Sequence, residues 1–332
     1  VSAIVLTASI ERFPTAGSWT ISRGTVTEVE VVTAEARLGG KTGRGECRPY
    51  ARYDEFAEGV VVDIEAVAPQ LGDNPEAVDL SRLMAPGAAR NAVDCALWDL
   101  RAKLSAKRVW QLAGLARPGP LLTAYSLSLE TPEKMRAKAA ENAHRPLLKV
   151  KLGGPEDGGG DLERIRAVRA GAPEARIIVD ANEGWTPESY AELAPELLAL
   201  GVAMVEQPLP AWDDGALADM ARPLPVCADE ACHDTASLRG LSGKYDMINI
   251  KLDKTGGLTE ALRLKAEAER MGFDVMVGCM LASSLAMAPA ILVAQGADIV
   301  DLDGPLLLAA DRDHPLKYDA DGVHPPTPEL WG

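Results

Sequence analysis

The chain has 332 residues, 47% hydrophobic and 25% charged, the make-up of an ordinary soluble globular protein with room for two domains. Its formal net charge of −15 is dispersed, which excludes the basic face that nucleic acid requires and leaves an anionic substrate in need of local positive charge or a metal. Cys47, Cys95, Cys227, Cys232 and Cys279 are scattered without metal-ligand spacing, the apolar first ten residues lack a basic leader, and no apolar run reaches about 18 residues, so a cytoplasmic protein that neither enters nor crosses a membrane is expected.

Residues 1–10 and 25–38, rich in Val, Ile and Thr, predict a small antiparallel sheet together with Gly43–Cys47. Between the first two, Arg12–Gly24 holds Pro14, Gly17 and Gly24 and reads as a long loop. Helical spacing follows over 54–68 and over 88–104, where Ala89, Ala92, Val93, Ala96, Leu97, Leu100 and Leu104 form one core-facing stripe. Pro118-Gly119-Pro120 marks a linker before a first barrel strand, Leu121–Leu127.

Seven short apolar runs come next: Leu147–Lys151, Ile177–Asp180, Ala203–Glu206, Val226–Asp229, Met247–Lys251, Val275–Gly278 and Ile299–Asp303. Each ends in a polar residue or glycine, their ends lie 22 to 29 residues apart, and the stretches between them are patterned as helices. That is the period of a βα unit, and with the first strand there are eight, the number that closes a (β/α) barrel. In such a barrel the C-terminal strand ends meet at one mouth, which here collects Lys149, Lys151, Asp180, Glu206, Asp229, Lys251, Asp301 and Asp303. Beyond Gly304-Pro305 the tail shows no helix pattern and is expected to return to the N-terminal sheet.

Lys149 and Lys151 are two apart on a strand and point to one face, the barrel interior. Like charge and desolvation both lower a lysine pKa, which would let one act as a neutral base. Asp180, Glu206 and Asp229 taken singly read as capping or loop carboxylates. Three acids on three successive strands are costly unless a cation compensates them, and an all-oxygen set favours Mg²⁺, with Mn²⁺ second and Zn²⁺ well behind. None of the four histidines ends a strand, which argues against a zinc hydrolase. Lys251 stands about half the barrel's circumference from Lys151, so two bases would face one substrate carbon.

These residues resemble the enolase superfamily, its muconate-lactonizing subgroup, and more narrowly the dipeptide epimerases of the L-Ala-D/L-Glu type. The resemblance runs through Thr20–Gly24, Ala88–Leu100, Leu148–Leu152, Val179–Trp185, Val205–Pro210, Cys227–Cys232, Asn249–Leu262, Gly278–Ser283 and Asp301–Pro305, nearly the whole length. It implies a modified (β/α)₇β TIM-like barrel over 118–304, capped by an α+β domain of residues 1–117 completed by the tail 305–332. It implies that Asp180, Glu206 and Asp229 hold one Mg²⁺, that Lys151 and Lys251 are the acid/base pair whose proton transfer passes through a metal-stabilised enediolate, and that Lys149 orients the substrate α-carboxylate and stabilises its charge. Asp301 and Asp303 would bind the free ammonium of a dipeptide; Ser126, Asn182, Cys279 and Met280 would line the pocket; Arg23 would reach a glutamate side chain in the substrate. Cys279 is expected to pack rather than attack, since no histidine is placed to activate it. Val26 stands where close relatives can carry a second arginine, which leaves dipeptides with another second residue open. Other activities sharing these lysines and acids are N-acylamino acid racemisation, o-succinylbenzoate synthesis and muconate-type cycloisomerisation; a non-catalytic metal-dependent binding protein is a remote alternative. Recycling of cell-wall peptides and a homo-oligomer are further implications.

Overall fold

The computed structural model describes residues 3–154 and 160–332; the first two residues of the predicted strand 1–10 lie outside them. Three antiparallel strands, β1 (Val5–Ile21), β2 (Gly24–Leu38) and β3 (Lys41–Cys47), form one sheet in the order β1-β2-β3. Helices Ala57–Val67 and Ala88–Ser105 lie against it. The second packs so closely on β3 that a Cβ on Gly43 or Gly45 would come within 2.2 Å of Ala96 O or 2.1 Å of Ala92 O. Glycine there allows backbone-to-backbone contact, which seats the helix between the sheet and the barrel.

The predicted loop Arg12–Gly24 is instead most of a long ribbon. β1 pairs with β2 as far as Ile21 opposite Gly24, with a register shift between Pro14 and Trp19, so the chain turns only at Ser22-Arg23. β1 is the edge strand, and an edge tolerates the proline and the bulge that make the sequence look like a loop. The ribbon crosses the barrel mouth. Thr20 N donates to Ser128 Oγ at 2.8 Å on one side, and Ser22 Oγ donates to Asn182 O at 3.1 Å on the other.

The barrel consists of eight strands: β4 (Tyr125–Leu127), β5 (Leu147–Lys151), β6 (Arg176–Asp180), β7 (Val202–Glu206), β8 (Val226–Ala228), β9 (Met247–Ile250), β10 (Asp274–Gly278) and β11 (Ile299–Asp301). All neighbouring pairs from β4 to β11 are parallel. The seam between β11 and β4 carries Ala124 N to Val300 O at 2.8 Å and Leu302 N to Thr123 Oγ1 at 2.8 Å. The first strand is shorter than expected, because Leu121 pairs with Val323 in a small hairpin of the tail. The helical period also lapses once. Between β7 and β8 the described structure has only the 3₁₀ turn Gly215–Ala218, and Pro208, Pro210, Pro223 and Pro225 bound that segment against helix formation.

Inside the barrel an apolar floor takes one residue from each of β5 to β11 and Ala124 from just before β4: Ala124, Leu147, Ile178, Met204, Cys227, Met247, Met276 and Ile299. Because strand side chains alternate, the residue two further on points inward one layer higher. That layer is Ser126, Lys149, Asp180, Glu206, Asp229, Asn249, Gly278 and Asp301. The tail contacts the cap: Arg312 bonds to Glu11, Thr33 and Glu46, and Trp331 Nε1 donates to Cys95 O at 3.1 Å. Among the described residues no helix is long and apolar enough to cross a membrane.

Candidate active site

The polar layer is buried. Asp180 and Glu206 have no exposure, Asp229 and Lys149 have 1%, and Lys151 and Lys251 have 8% and 6%. Parallel register sets Lys151 beside Asp180 and Asp180 beside Glu206 on β5, β6 and β7. Lys151 Nζ lies 2.6 Å from Asp180 Oδ2, and Lys251 Nζ lies 2.5 Å from Asp229 Oδ2. Lys149 Nζ sits among three acids, 2.7 Å from Glu206 Oε2, 2.8 Å from Asp301 Oδ2 and 3.2 Å from Asp180 Oδ2. Strands β5 and β9 are four places apart in a barrel of eight, so Lys151 and Lys251 approach from opposite walls.

Asp180, Glu206 and Asp229 can each offer one oxygen such that all three lie within 4.8 Å of one another. Glu206 Oε2 is buried and has no well-directed hydrogen bond, although Lys149 Nζ is 2.7 Å away. A buried oxygen left without such a bond, in an all-carboxylate cluster, fits a hard divalent cation. Burial and the charge of Asp180 push the Glu206 carboxyl up to about 7. Burial acts the same way on Asp180, but Lys151 and Lys149 outweigh it and hold that carboxyl below the usual range.

The lysines depart from expectation in one respect. Burial does lower the ammonium pKa of Lys149 and Lys251, but the surrounding carboxylates outweigh it and raise both above the ordinary lysine value. The spacing of two lysines on one strand carries no sign of the acids that other strands bring beside them.

Above the layer lies a cavity of about 490 Å³ lined by Arg23, Ser126, Lys149, Lys151, Asn182, Asp229, Lys251, Cys279, Met280, Asp301 and Asp303. Asp180 and Glu206 lie behind the lysines. Asp303 Oδ2 accepts from Ser126 N at 2.6 Å across the barrel seam, and burial with Asp301 alongside pushes its carboxyl up to about 7. Asp301 Oδ1 is buried without a partner. Burial also raises the Cys279 thiol well above its ordinary value, as suits a packing residue. Arg23 is in the cavity wall, but its Nη2 donates to Glu230 Oε1 at 2.7 Å and its Nη1 to Asn182 O at 3.0 Å.

Four supporting residues escape the sequence reading. Asn249 Nδ2 donates to Glu206 Oε1 at 2.8 Å, and its spacing two before Lys251 is the same signal that marks Lys149 and Lys151. Lys254, 2% exposed on the short helix Leu252–Thr255, meets Asp229 Oδ1 at 2.6 Å. Glu230 and Arg48 depend on contacts between cap and barrel that no local pattern carries. Asn182 and Gln207, just past β6 and β7, have φ of 45° and 33°, a strained backbone of the kind found at functional sites.

Opposed lysines around buried carboxylates at the mouth of a parallel barrel define a divalent-metal-dependent barrel enzyme. Residues 4–114 match the family described as mandelate racemase / muconate lactonizing enzyme, N-terminal domain, and residues 134–327 match enolase C-terminal domain-like. The chain belongs to this enolase family. It is 44% identical over 316 residues to the L-Ala-D/L-Glu epimerase of Escherichia coli K12, covering 95% of this chain and 97% of that one. It is also 44% identical over 293 residues to an N-acetyl-D-glutamate racemase of Pseudoalteromonas, covering 87% and 91%. A solved enolase family member from Agrobacterium tumefaciens, with homology to dipeptide epimerases and with bound sodium and L-Ala-L-Glu, superimposes with a TM-score of 0.94 at 56% identity, covering 99% of this chain and 100% of that one. Two further solved dipeptide epimerases, at 26% and 28% identity, carry Mg and a dipeptide.

Proposed function

We propose that the protein is a Mg²⁺-dependent epimerase inverting the α-carbon of the C-terminal residue of an L,L-dipeptide, with L-Ala-L-Glu and L-Ala-D-Glu as the favoured pair. The observation that carries this reading is the placement of Lys151 and Lys251 on opposite walls of one cavity, each against a different carboxylate of the metal-ligating trio. Asp180, Glu206 and Asp229 hold the ion, and when bound it supplies positive charge where the substrate carboxylate gains negative charge.

The chain's own groups do the rest. Lys149 orients the α-carboxylate as a fixed cation. Lys151, as the neutral amine, takes the α-proton from one face, and the C–H electron pair passes into the carboxylate to give an enediolate. Lys251, as ammonium, returns a proton to the same carbon from the other face, so the centre inverts and the two lysines exchange protonation states. The reverse reaction runs with the roles swapped. Asp301 and Asp303 take the substrate's free ammonium, a donor that would meet the unpaired Asp301 Oδ1.

The similarity to an N-acetyl-D-glutamate racemase favours a second reading, racemisation of N-acylglutamate. An acyl group brings no cation to Asp301 and Asp303, which makes this the lesser reading. Incubation in D₂O with Mg²⁺ tests both: α-deuterium should enter L-Ala-L-Glu far faster than N-acetylglutamate, and the opposite order would reverse the assignment. The setting proposed is the cytoplasm, supported by five free cysteines, with recycling of cell-wall peptides as the role that fits this substrate pair.

A further inference from the structure

Three arginines line the active-site cavity: Arg23, Arg48 and Arg52. Two are neutralised by the protein itself. Arg52 makes a two-pronged pair with Glu183, Nε to Oε2 and Nη2 to Oε1, both at 2.8 Å. Arg23 is held by Glu230 at 2.7 Å and by Tyr50 Oη at 3.1 Å. The three cavity lysines are likewise paired with acids of the polar layer.

Arg48 differs. It makes no ion pair among the described residues, and its Nη1 donates to a neutral acceptor, Leu281 O, at 3.0 Å. Its Nε is buried with no hydrogen-bond partner. The backbone behind it is fixed, since Arg48 N donates to Asp253 Oδ1 at 3.0 Å and Asn91 Nδ2 holds the same oxygen at 2.9 Å. Val26, in the same wall, adds no charge. A positioned guanidinium with an unmet buried N–H and no ion-pair partner among the described residues has charge and hydrogen-bonding capacity left for a carboxylate from outside the protein.

We infer that Arg48, rather than Arg23, receives the side-chain carboxylate of an acidic C-terminal residue in the substrate, and so selects glutamate over neutral side chains. This rests on the dipeptide epimerase reading and adds the residue that sets its specificity. Arg23 then serves to tie Glu230 and the ribbon to the loop after β6.

The test compares kcat/KM for L-Ala-L-Glu with that for L-Ala-L-Gln, which has the same shape without the charge. In Arg48→Met, and in Arg48→Gln, which can still donate to Leu281 O, the Glu-to-Gln ratio should fall about 100-fold, while the value for L-Ala-L-Gln changes only a few-fold. Proportional loss on both substrates would reduce Arg48 to a structural contact, and a fall in the ratio in Arg23→Met but not in the Arg48 variants would move the role to Arg23. Absence of α-deuterium exchange by the unaltered enzyme with every dipeptide would mark failure of the proposed function instead. Calorimetric binding of the same two dipeptides to unaltered protein and Arg48→Gln would then decide the Arg48 assignment on the same ratio, and no binding of either would end it.

Discussion

Lys151 rests on Asp180 and Lys251 on Asp229, so each proposed base is held by a different carboxylate of the cluster. Lys151→Ala and Lys251→Ala should each lower epimerisation by about 10²–10⁴-fold, the usual worth of a placed acid or base. Because one base survives in each, each variant should still exchange the α-proton of one stereoisomer in D₂O; normal epimerisation by both would remove the two-base assignment. Asp303→Asn should raise KM for L-Ala-L-Glu by roughly 10-fold, through loss of a charged hydrogen bond, and leave KM for an N-acylamino acid nearly unmoved. An equal rise on both substrate types would take the ammonium away from Asp303. These residues were legible because each ends an apolar run, where a charge is hard to explain otherwise. Lys254 and Arg48 were not, since the first lies beyond its strand end and the second is on the cap, brought to the cavity only by tertiary packing.

At the scale of elements, the charged members of the polar layer are legible at the ends of the apolar runs, whereas Asn249 and Gly278 carry no charge to mark them, and the layer's glycine shows how tightly adjacent strands are matched. A Cβ on Gly278 of β10 would stand 2.6 Å from Asn249 Oδ1 on β9. Gly278→Ala should therefore turn Asn249 away from Glu206 and weaken Mg²⁺ binding by about 10–100-fold, the usual cost of disturbing a partner of a metal ligand. Titration calorimetry with Mg²⁺ reads this directly, and unchanged affinity would mean that Asn249 does not hold Glu206 in its working position. The ribbon was misread for a reason equally local. Pro14, Gly17 and Gly24 are breakers in a sequence window, whereas in the sheet they fall at a bulge, on an edge and at a turn, where pairing with β2 continues around them. The missing helix between β7 and β8 shows the converse, apolar spacing overridden by four prolines.

Across the whole molecule, cap, barrel and tail are joined by buried charge. Arg312 of the tail meets Glu46 of β3 at 2.6 Å, and Ser283 of the barrel donates to the same carboxylate. Arg312→Met strands Glu46 and should cost about 3–5 kcal/mol, seen as a lower denaturant midpoint; a change within about 0.5 kcal/mol would show that Ser283 alone suffices. Asp253 links barrel to cap through Arg48 N and Asn91, and burial, aided by Glu55 and Glu46, pushes its carboxyl up to about 7. Its folded pKa thus exceeds its unfolded value of about 3.9, so the folded protein binds more protons between those limits and this contribution to stability falls as pH rises through them. Asp253→Asn should be more stable relative to the unaltered protein at pH 8 than at pH 5 in urea melts, and a difference independent of pH would refute the shift. The ribbon that carries Trp19, Ile21, Arg23 and Val26 over the mouth has a consequence for how such an enzyme can change. On the proposed assignment the groups facing the substrate's C-terminal side chain lie on the cap, while the acid–base lysines and the ammonium site lie on the barrel, so a variant library confined to the ribbon and to position 48 should diversify the side chain accepted while leaving the reaction in place.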